Sequence, residues 1–118
     1  MEKDCSVYRT ADFIGKRWTL LILLELYRGK KIKRYSQIKE NLHEITPKML
    51  SARLKELEKH KLINKKIDAK TFPVKCEYSL TKSGEDFINV IKNIKKWSLK
   101  WSIKNKICED SDCRVCKI

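Results

Sequence analysis

The most reactive side chains of this chain are its five cysteines, three of which lie within the last eleven residues. Cys108, Cys113 and Cys116 form a C-x4-C-x2-C pattern. Thiolates at this spacing can bind Zn²⁺ or an iron–sulfur cluster, and the same spacing occurs in plant-type ferredoxin sites, which need a fourth, distant cysteine. Cys5 can supply that ligand. One hypothesis for the tail is therefore a zinc or iron–sulfur site.

Two other interpretations of the cysteines stay open beside the metal site. A thiol switch needs a thiolate, and Arg9 lies close enough in sequence to Cys5 to favour the charged form of that thiol. Alternatively, the tail thiols are idle, or they form structural disulfides of the kind found in hyperthermophile proteins. Cys76 falls in a β-prone run, where we expect a small buried residue.

Nothing else in the sequence forms a catalytic constellation. His43 and His60 lie at opposite ends of a predicted helix, and neither has a nucleophile or a carboxylate pair at a catalytic spacing. We expect His60 to compensate the helix dipole or to be solvated. The acidic residues are expected to be solvated partners of lysines. The chain is therefore predicted not to be an enzyme.

Length and composition predict one mainly helical domain. The 118 residues are 42% hydrophobic and include only three glycines and two prolines. We expect a domain at 1–107 followed by a cysteine-containing tail at 108–118. The N-terminus, MEKDCSVYRT, has no apolar signal segment, and the apolar run Leu20–Leu24 is far shorter than the roughly 20 residues of a membrane span. A cytoplasmic protein without a membrane partner is expected.

The positive charge of the chain is localised. Of the formal net charge of +13, residues 28–39 and residues 46–75 each contribute +6. Lysine enrichment through adaptation to heat would not concentrate the charge in this way. Concentrated Lys and Arg on a folded domain favour a polyanion, because each neutralised phosphate releases counterions. The expected partner is double-stranded DNA.

The segment at 46–61, TPKMLSARLKELEKHK, predicts a capped amphipathic helix. Its threonine can cap the first turn. Pro47 suits the first helical position because a backbone N–H there would have no acceptor within the helix, so proline loses no hydrogen bond. At about 100° per residue one face is apolar and the other basic. The apolar stripe is Leu50, Leu54 and Leu57. The residues expected at DNA are Thr46, Lys48, Ser51, Ala52, Arg53 and Lys55, with Arg53 better placed for a phosphate than for a base.

The elements before this helix predict a helix-turn-helix unit. Val7 to Ile14 reads as a first helix, and a buried second helix runs from Trp18 to Gly29, followed by a basic connection. Ser36 is a plausible N-cap for a short helix through Leu42 and a candidate DNA contact. A turn at 43–45 then leads into the helix at 46–61. Two helices separated by so short a turn are typical of helix-turn-helix proteins, whose second helix enters the major groove.

The elements after the helix predict a wing and an interface. Ile63 to Ala69 and Val74 to Leu80 are β-prone runs that form a hairpin. Its basic residues are either a solvated edge or contacts to the flanking DNA backbone or the minor groove, and the second interpretation fits the preceding helix better. The wing residues concerned are Lys65, Lys66, Lys70, Thr71 and Lys75. Thr81 then caps a last helix to about Ile107, whose apolar stripe is too long for one small core and predicts a homodimer. The interface residues expected are Phe87, Ile91, Ile94, Trp97 and Trp101.

Four blocks of the sequence resemble one family. They are Cys5, IGKRWTLLILLEL at 14–26, ITPKMLSARLKELEKHKLI at 45–63 and EYSLTKSG at 77–84. With their spacing they are similar to the HxlR-type winged helix-turn-helix transcriptional regulators, relatives of the MarR-type regulators. The resemblance covers residues 5–101 and implies a dimeric DNA-binding regulator of bacteria or archaea, with dimer contacts from the N- and C-terminal helices. In some members a cysteine at the position of Cys5 is a redox sensor.

These observations predict a mainly α winged helix-turn-helix protein with a small β-hairpin. Its expected function is dimeric transcriptional regulation, with helix 46–61 in the major groove and the wing at 65–75 on the flanking backbone. A response to redox state or metal through the cysteines is an added hypothesis. The alternatives are a non-specific nucleoid protein and a protein-interaction module that uses the same basic faces. Nothing in the sequence specifies an effector.

Overall fold

Helices surround a small antiparallel sheet in the computed structural model, which describes residues 2–70, 72, 74–101, 109–110 and 112–114. The helices in those ranges include α1 (Ser6–Ile14), α2 (Thr19–Tyr27), α3 (Tyr35–Asn41), α4 (Pro47–Lys59) and α5 (Lys82–Trp101). The strands are β1 (Lys33–Arg34), β2 (Ile63–Asp68) and β3 (Lys75–Leu80), in the antiparallel order β1-β3-β2. This is the winged helix-turn-helix arrangement that the sequence predicts.

Strand β1 corrects the prediction of a plain basic connection after α2. Lys33 pairs with Tyr78 and Arg34 with Glu77, so the end of the basic run is the third strand of the sheet. Its partner β3 comes more than forty residues later in the chain, and so distant a pairing leaves no local periodicity to read. The strand fixes the start of α3 against the sheet.

The predicted N-cap of α3 was wrong by two residues. Arg34 occupies the N-cap position in extended geometry, and its backbone N–H donates to Gln37 Oε1 at 3.0 Å. Ser36 lies inside the helix and is exposed. Because pairing in the sheet holds Arg34 in an extended conformation, the helix begins directly after it at Tyr35, one residue before Ser36. Helix α2 is also shorter than predicted and ends at Tyr27.

The core lies between α2, α4, the sheet and the first half of α5. Its buried apolar members are Ile22, Leu23, Leu26, Ile38, Ile45, Leu50, Leu54, Leu57, Leu62, Ile63, Tyr78, Ile88 and Ile91. Burial raises the pKa of the Tyr78 phenol. Cys76, expected to be buried, is half-buried because the outer end of β3 extends beyond this core.

The base of the hairpin is joined tightly to α5. Thr81 caps the helix as predicted: its Oγ1 accepts the N–H of Gly84 at 3.1 Å and donates to the carbonyl of Lys61 at 2.6 Å. The N–H of Thr81 also donates to the Leu62 carbonyl at 3.0 Å. A Cβ at Gly84 would lie 2.1 Å from that carbonyl oxygen, so only glycine allows this approach.

The described part of the tail contacts α2. The N–H of Gly29 donates to the carbonyl of Arg114 at 3.2 Å, and the Arg114 guanidinium lies 4.8 Å from the centroid of the Tyr27 ring. The backbone N–H of Arg114 donates to Asp112 and lowers the pKa of that carboxyl. The predicted end of the last helix, near 107, lies outside the described residues. Among the helices that are described, none is both long and apolar enough to cross a membrane.

Candidate nucleic-acid interface

Helix α4 presents one polar face to solvent and buries the other. The Thr46 hydroxyl accepts the N–H of Met49 at 3.1 Å, and Pro47 is the first helical residue, as predicted. The helix is held by three buried leucines, Leu50, Leu54 and Leu57, which confirms the predicted stripe. The opposite face is exposed and carries Lys48, Ser51, Ala52 and Lys55. A lysine or a serine hydroxyl on such a face can reach base edges or phosphates.

Tyr35 joins the two helices of the helix-turn-helix unit, and the sequence did not reveal this role. Its Oη donates to the carbonyl of Pro47 at 3.1 Å and lies 3.3 Å from Ser51 Oγ. The phenol therefore bridges the start of α3 and the first turns of α4. It also occupies one hydrogen-bonding position of Ser51, so that hydroxyl is oriented by the protein. The only local signal was a tyrosine at the beginning of a polar helix.

Arg53 is directed toward its own helix. Its Nη1 lies 3.6 Å from Glu56 Oε1, and its side chain is mostly buried. Glu56 also accepts from Lys16 Nζ at 2.6 Å, which links α4 to the turn between α1 and α2. The structure therefore places Arg53 beside the packed face of α4, at the margin of the exposed basic face.

The end of α4 rests on α1. The ring of His60 stacks on Phe13 with 3.8 Å between centroids and 7° between planes. His60 is exposed on its other side and follows the last helical residue, next to the C-terminal dipole. The sequence placed His60 correctly at the helix end and gave no sign of its aromatic partner, because α1 lies far away along the chain.

Glu25 and Lys33 form a buried ion pair behind this interface. Glu25 is 6% exposed and Lys33 is 8% exposed, with 2.9 Å between Lys33 Nζ and Glu25 Oε1. The same ammonium donates to the Glu25 carbonyl, and Asn41 Nδ2 donates to Glu25 Oε1 at 2.7 Å. The pair ties α2 to β1 and to the end of α3. This corrects the expectation that the acidic residues are all solvated, and it removes Lys33 from the charge available to a polyanion.

The wing carries the predicted lysines. Lys65, Lys66 and Lys70 are exposed and Lys75 is half-buried. Two of the four lie across the hairpin from an acid: Lys66 pairs in register with Glu77, and Lys75 with Asp68. The backbone N–H of Lys70 donates to Asp68 Oδ1 at 3.1 Å and shapes the start of the turn. Thr71, the other wing residue predicted at DNA, lies outside the described residues.

The structure describes only part of the cysteine set. Cys5 immediately precedes α1, and Cys113 lies in the tail; both are half-buried free thiols. Cys108 and Cys116 lie outside the described residues. In the ranges that are described, no three His, Cys, Asp or Glu side chains come together as a metal site. The zinc or iron–sulfur hypothesis stays a prediction.

The predicted interface residues divide between two surroundings. Ile91 is 8% exposed and Phe87 packs against the core, so both face the inside of the same molecule. Ile94, Trp97 and Trp101 are exposed, and Trp97 and Trp101 expose 62% and 69% of their surface. Val90, also exposed, lies on the same side of α5 by helical spacing. We call the exposed set of Val90, Ile94, Trp97 and Trp101 the α5 stripe.

A helix held by leucines and exposing lysines, preceded by a bridged short helix and followed by a basic hairpin, defines a winged helix-turn-helix protein. The chain belongs to the HxlR-like helix-turn-helix family, whose profile matches residues 13–106. This family consists of DNA-binding transcriptional regulators and not of enzymes. The resemblance seen in the sequence is thereby confirmed.

Individual relatives agree with this membership. The HTH-type transcriptional regulator YvaP of Bacillus subtilis is 36% identical over 93 residues, which cover 79% of this chain and 83% of YvaP. A MarR-family regulator from Porphyromonas gingivalis superposes with a TM-score of 0.75 at 34% identity, over 86% of this chain and 96% of that one. The reduced form of the regulator YodB of B. subtilis superposes with a TM-score of 0.71 at 33% identity, over 92% and 98%.

Proposed function

We propose that this regulator binds duplex DNA as a homodimer, with α4 in the major groove and the wing on the adjacent backbone. The observation that carries the proposal is the exposed face of α4, where Lys48, Ser51 and Lys55 lie opposite three buried leucines. A helix anchored in this way can present side chains to base edges without losing its own packing. Lys65, Lys66 and Lys70 of the wing then lie where phosphates of a flanking segment can be neutralised.

Binding should be specific and strongly dependent on salt. Fluorescence anisotropy with a labelled duplex from the promoter of its own gene is expected to show tight binding that weakens about 10³-fold or more between roughly 50 and 200 mM salt, if six or more phosphates are contacted. A random duplex of equal length is the control. Equal affinity for both duplexes would contradict regulation by sequence and would favour the non-specific nucleoid protein.

The same titration tests a redox response. YodB has been solved in a reduced form, after treatment with diamide and with a quinone bound. Diamide oxidises thiols, and this chain carries half-buried free thiols at Cys5 and Cys113. We propose that oxidation of these cysteines changes its affinity for DNA. If diamide leaves the DNA affinity of the wild-type protein unchanged, the proposal is wrong. Cys5→Ser, which lacks one of the two thiols, is the matched variant.

The homodimer is proposed to form through the α5 stripe and α1. Helix α1 contacts the rest of the monomer through Phe13 near its end, and it exposes Val7 and Tyr8 near its start. The exposed start fits the role in dimer contacts that the family resemblance implies. Two exposed tryptophans on one helix face are typical of interface anchors. The stripe and α1 together offer the apolar surface that a symmetric dimer would cover.

Sedimentation velocity should show a dimer that the double variant Trp97→Ala/Trp101→Ala weakens. The Kd of the dimer is expected to rise at least about 30-fold, because a buried tryptophan anchor contributes about 2 kcal/mol or more to the binding free energy. Ile32→Ala is the matched control, since Ile32 is also an exposed apolar residue and lies outside the stripe. A dimer unaffected by the tryptophan changes would place the interface elsewhere.

A further inference from the structure

The tip of the hairpin carries the most exposed large apolar side chain in the described part of the chain. Phe72 is 99% exposed, and Ile67 and Val74 beneath it are 58% and 55% exposed. Ile67 pairs with Cys76, so the two lie on the same face of the sheet. Val74 and Tyr78 are each two residues from Cys76 and share that face. Nearer the base of the hairpin, Tyr78 on this face is buried in the core. The apolar face of the hairpin thus continues beyond the core as far as Ile67 and Val74, and the exposed Phe72 lies in the turn that follows.

The surroundings of this apolar tip are basic. Between residues 65 and 75 the sequence contains Lys65, Lys66, Lys70 and Lys75 against one acid, Asp68, for a net charge of +3. An apolar patch on a surface usually marks a contact. Here the flanking lysines favour an anionic polymer over a second apolar protein surface, because lysines at the rim would lose hydration without gaining a counter-charge.

We propose that Phe72 is an apolar wedge that enters the minor groove of duplex DNA next to the α4 site, partly unstacks one base step and bends the DNA. The inference rests on the DNA-binding function proposed above. Apolar side chains inserted between base steps act in this way in proteins that bind the minor groove, with kinks of about 20–90°. The lysines beside the ring neutralise the phosphates that line the groove.

The dimensions of the hairpin suit this contact. Six residues per strand at about 3.4 Å each extend the tip roughly 20 Å from its base, and β2 (Ile63–Asp68) starts four residues after α4 ends at Lys59. The major groove is about 12 Å wide, so a hairpin of this length can cross one phosphate backbone beside α4 and reach the neighbouring minor groove. The Asp68 carboxylate accepts the Lys70 N–H and so fixes the backbone where the turn begins.

The test uses a duplex of about 40 base pairs enriched from a random library by the wild-type protein. Unstacked thymines are detected by permanganate, and the bend is measured by energy transfer between dyes at the two ends. We expect wild-type protein to make one flanking step reactive and to bend the duplex by about 20° or more. Phe72→Ala should abolish both signals and lower the affinity about 5- to 150-fold, the range of base–aromatic stacking.

Two further variants separate a wedge from an ordinary backbone contact. Phe72→Leu keeps a large apolar side chain and should retain most of the bend, whereas Phe72→Lys should lose it. A mere phosphate contact would instead become stronger in Phe72→Lys. Since Phe72 is almost fully exposed, none of these changes threatens the fold.

Specific outcomes overturn the proposal and distinguish it from failure of the proposed function. Tight wild-type binding with no reactive thymine and a straight duplex would overturn the wedge and leave DNA binding intact. Equal bending by wild-type protein and Phe72→Ala would do the same. Failure of the wild-type protein to enrich any duplex would overturn the proposed function itself. Bending lost in Phe72→Ala and kept in Phe72→Leu would support the wedge.

Discussion

Replacing Glu25 with alanine is expected to lower the free energy of unfolding by about 3–5 kcal/mol, because the Lys33 ammonium would then be buried without a counter-charge. Urea denaturation followed by circular dichroism measures the change. The double variant Glu25→Leu/Lys33→Met should recover most of the loss, since it removes both charges and leaves apolar groups of similar size. A buried pair of this kind contributes less to net stability than the damage from breaking it suggests.

The exposed pair Lys16–Glu56 is the matched control for this experiment. Lys16→Ala is expected to cost less than about 1 kcal/mol, because the lysine side chain is 44% exposed and water already solvates its charge. Equal costs for Glu25→Ala and Lys16→Ala would contradict the burial of the inner pair. The comparison thus tests the position of β1 and the end of α3, which the inner pair fixes.

The double variant Lys48→Ala/Lys55→Ala is expected to lower affinity for the selected duplex by about 100-fold or more, because each lost base or phosphate contact costs roughly 1–3 kcal/mol. Anisotropy titrations at several salt concentrations separate the two kinds of contact. Loss of base contacts relaxes preference at particular positions, whereas loss of phosphate contacts reduces the salt slope by about one for each lysine. The unfolding free energy should stay nearly unchanged, since both side chains are exposed.

Lysines outside the candidate interface provide the control for the total charge. Lys82 and Lys96 are exposed on α5, and their double replacement by alanine removes the same two charges. We expect that variant to bind the duplex within about twofold of wild type once salt screens distant charges. An equal loss from both double variants would show that net charge, and not the face of α4, determines binding.

The elements that could be predicted are those with a local signal. Thr46, Pro47 and the leucine spacing determine α4 within a few residues, and Thr81 determines the start of α5. Strand β1, the buried position of Lys33 and the bridge from Tyr35 to α4 could not be predicted, because their partners come from other parts of the chain. A lysine in a basic run gives no sign that it will face a buried glutamate.

The division of the last helix shows a similar limit of sequence patterns. Its spacing of three and four correctly predicts an apolar stripe longer than the core. The pattern does not say where the monomer's own core ends, because that depends on how α2 packs against α5. In the structure the change comes between Ile91, which is buried, and Ile94, which is exposed. Two of the five predicted interface residues, Phe87 and Ile91, therefore pack within the monomer.

The closed base of the hairpin allows the length of the wing to vary. Leu62 and Thr81 are joined there by a backbone hydrogen bond, and Gly84 packs against the same carbonyl, so the outer hairpin is a loop whose ends the core already holds together. Loop-closure entropy grows only with the logarithm of length, and doubling such a loop costs about 0.6 kcal/mol. Insertions or deletions beyond Ile67 are thus expected to change the free energy of folding very little. If the wing contacts DNA as proposed, its length sets how far along the duplex that contact extends, and it can change without any change in α4.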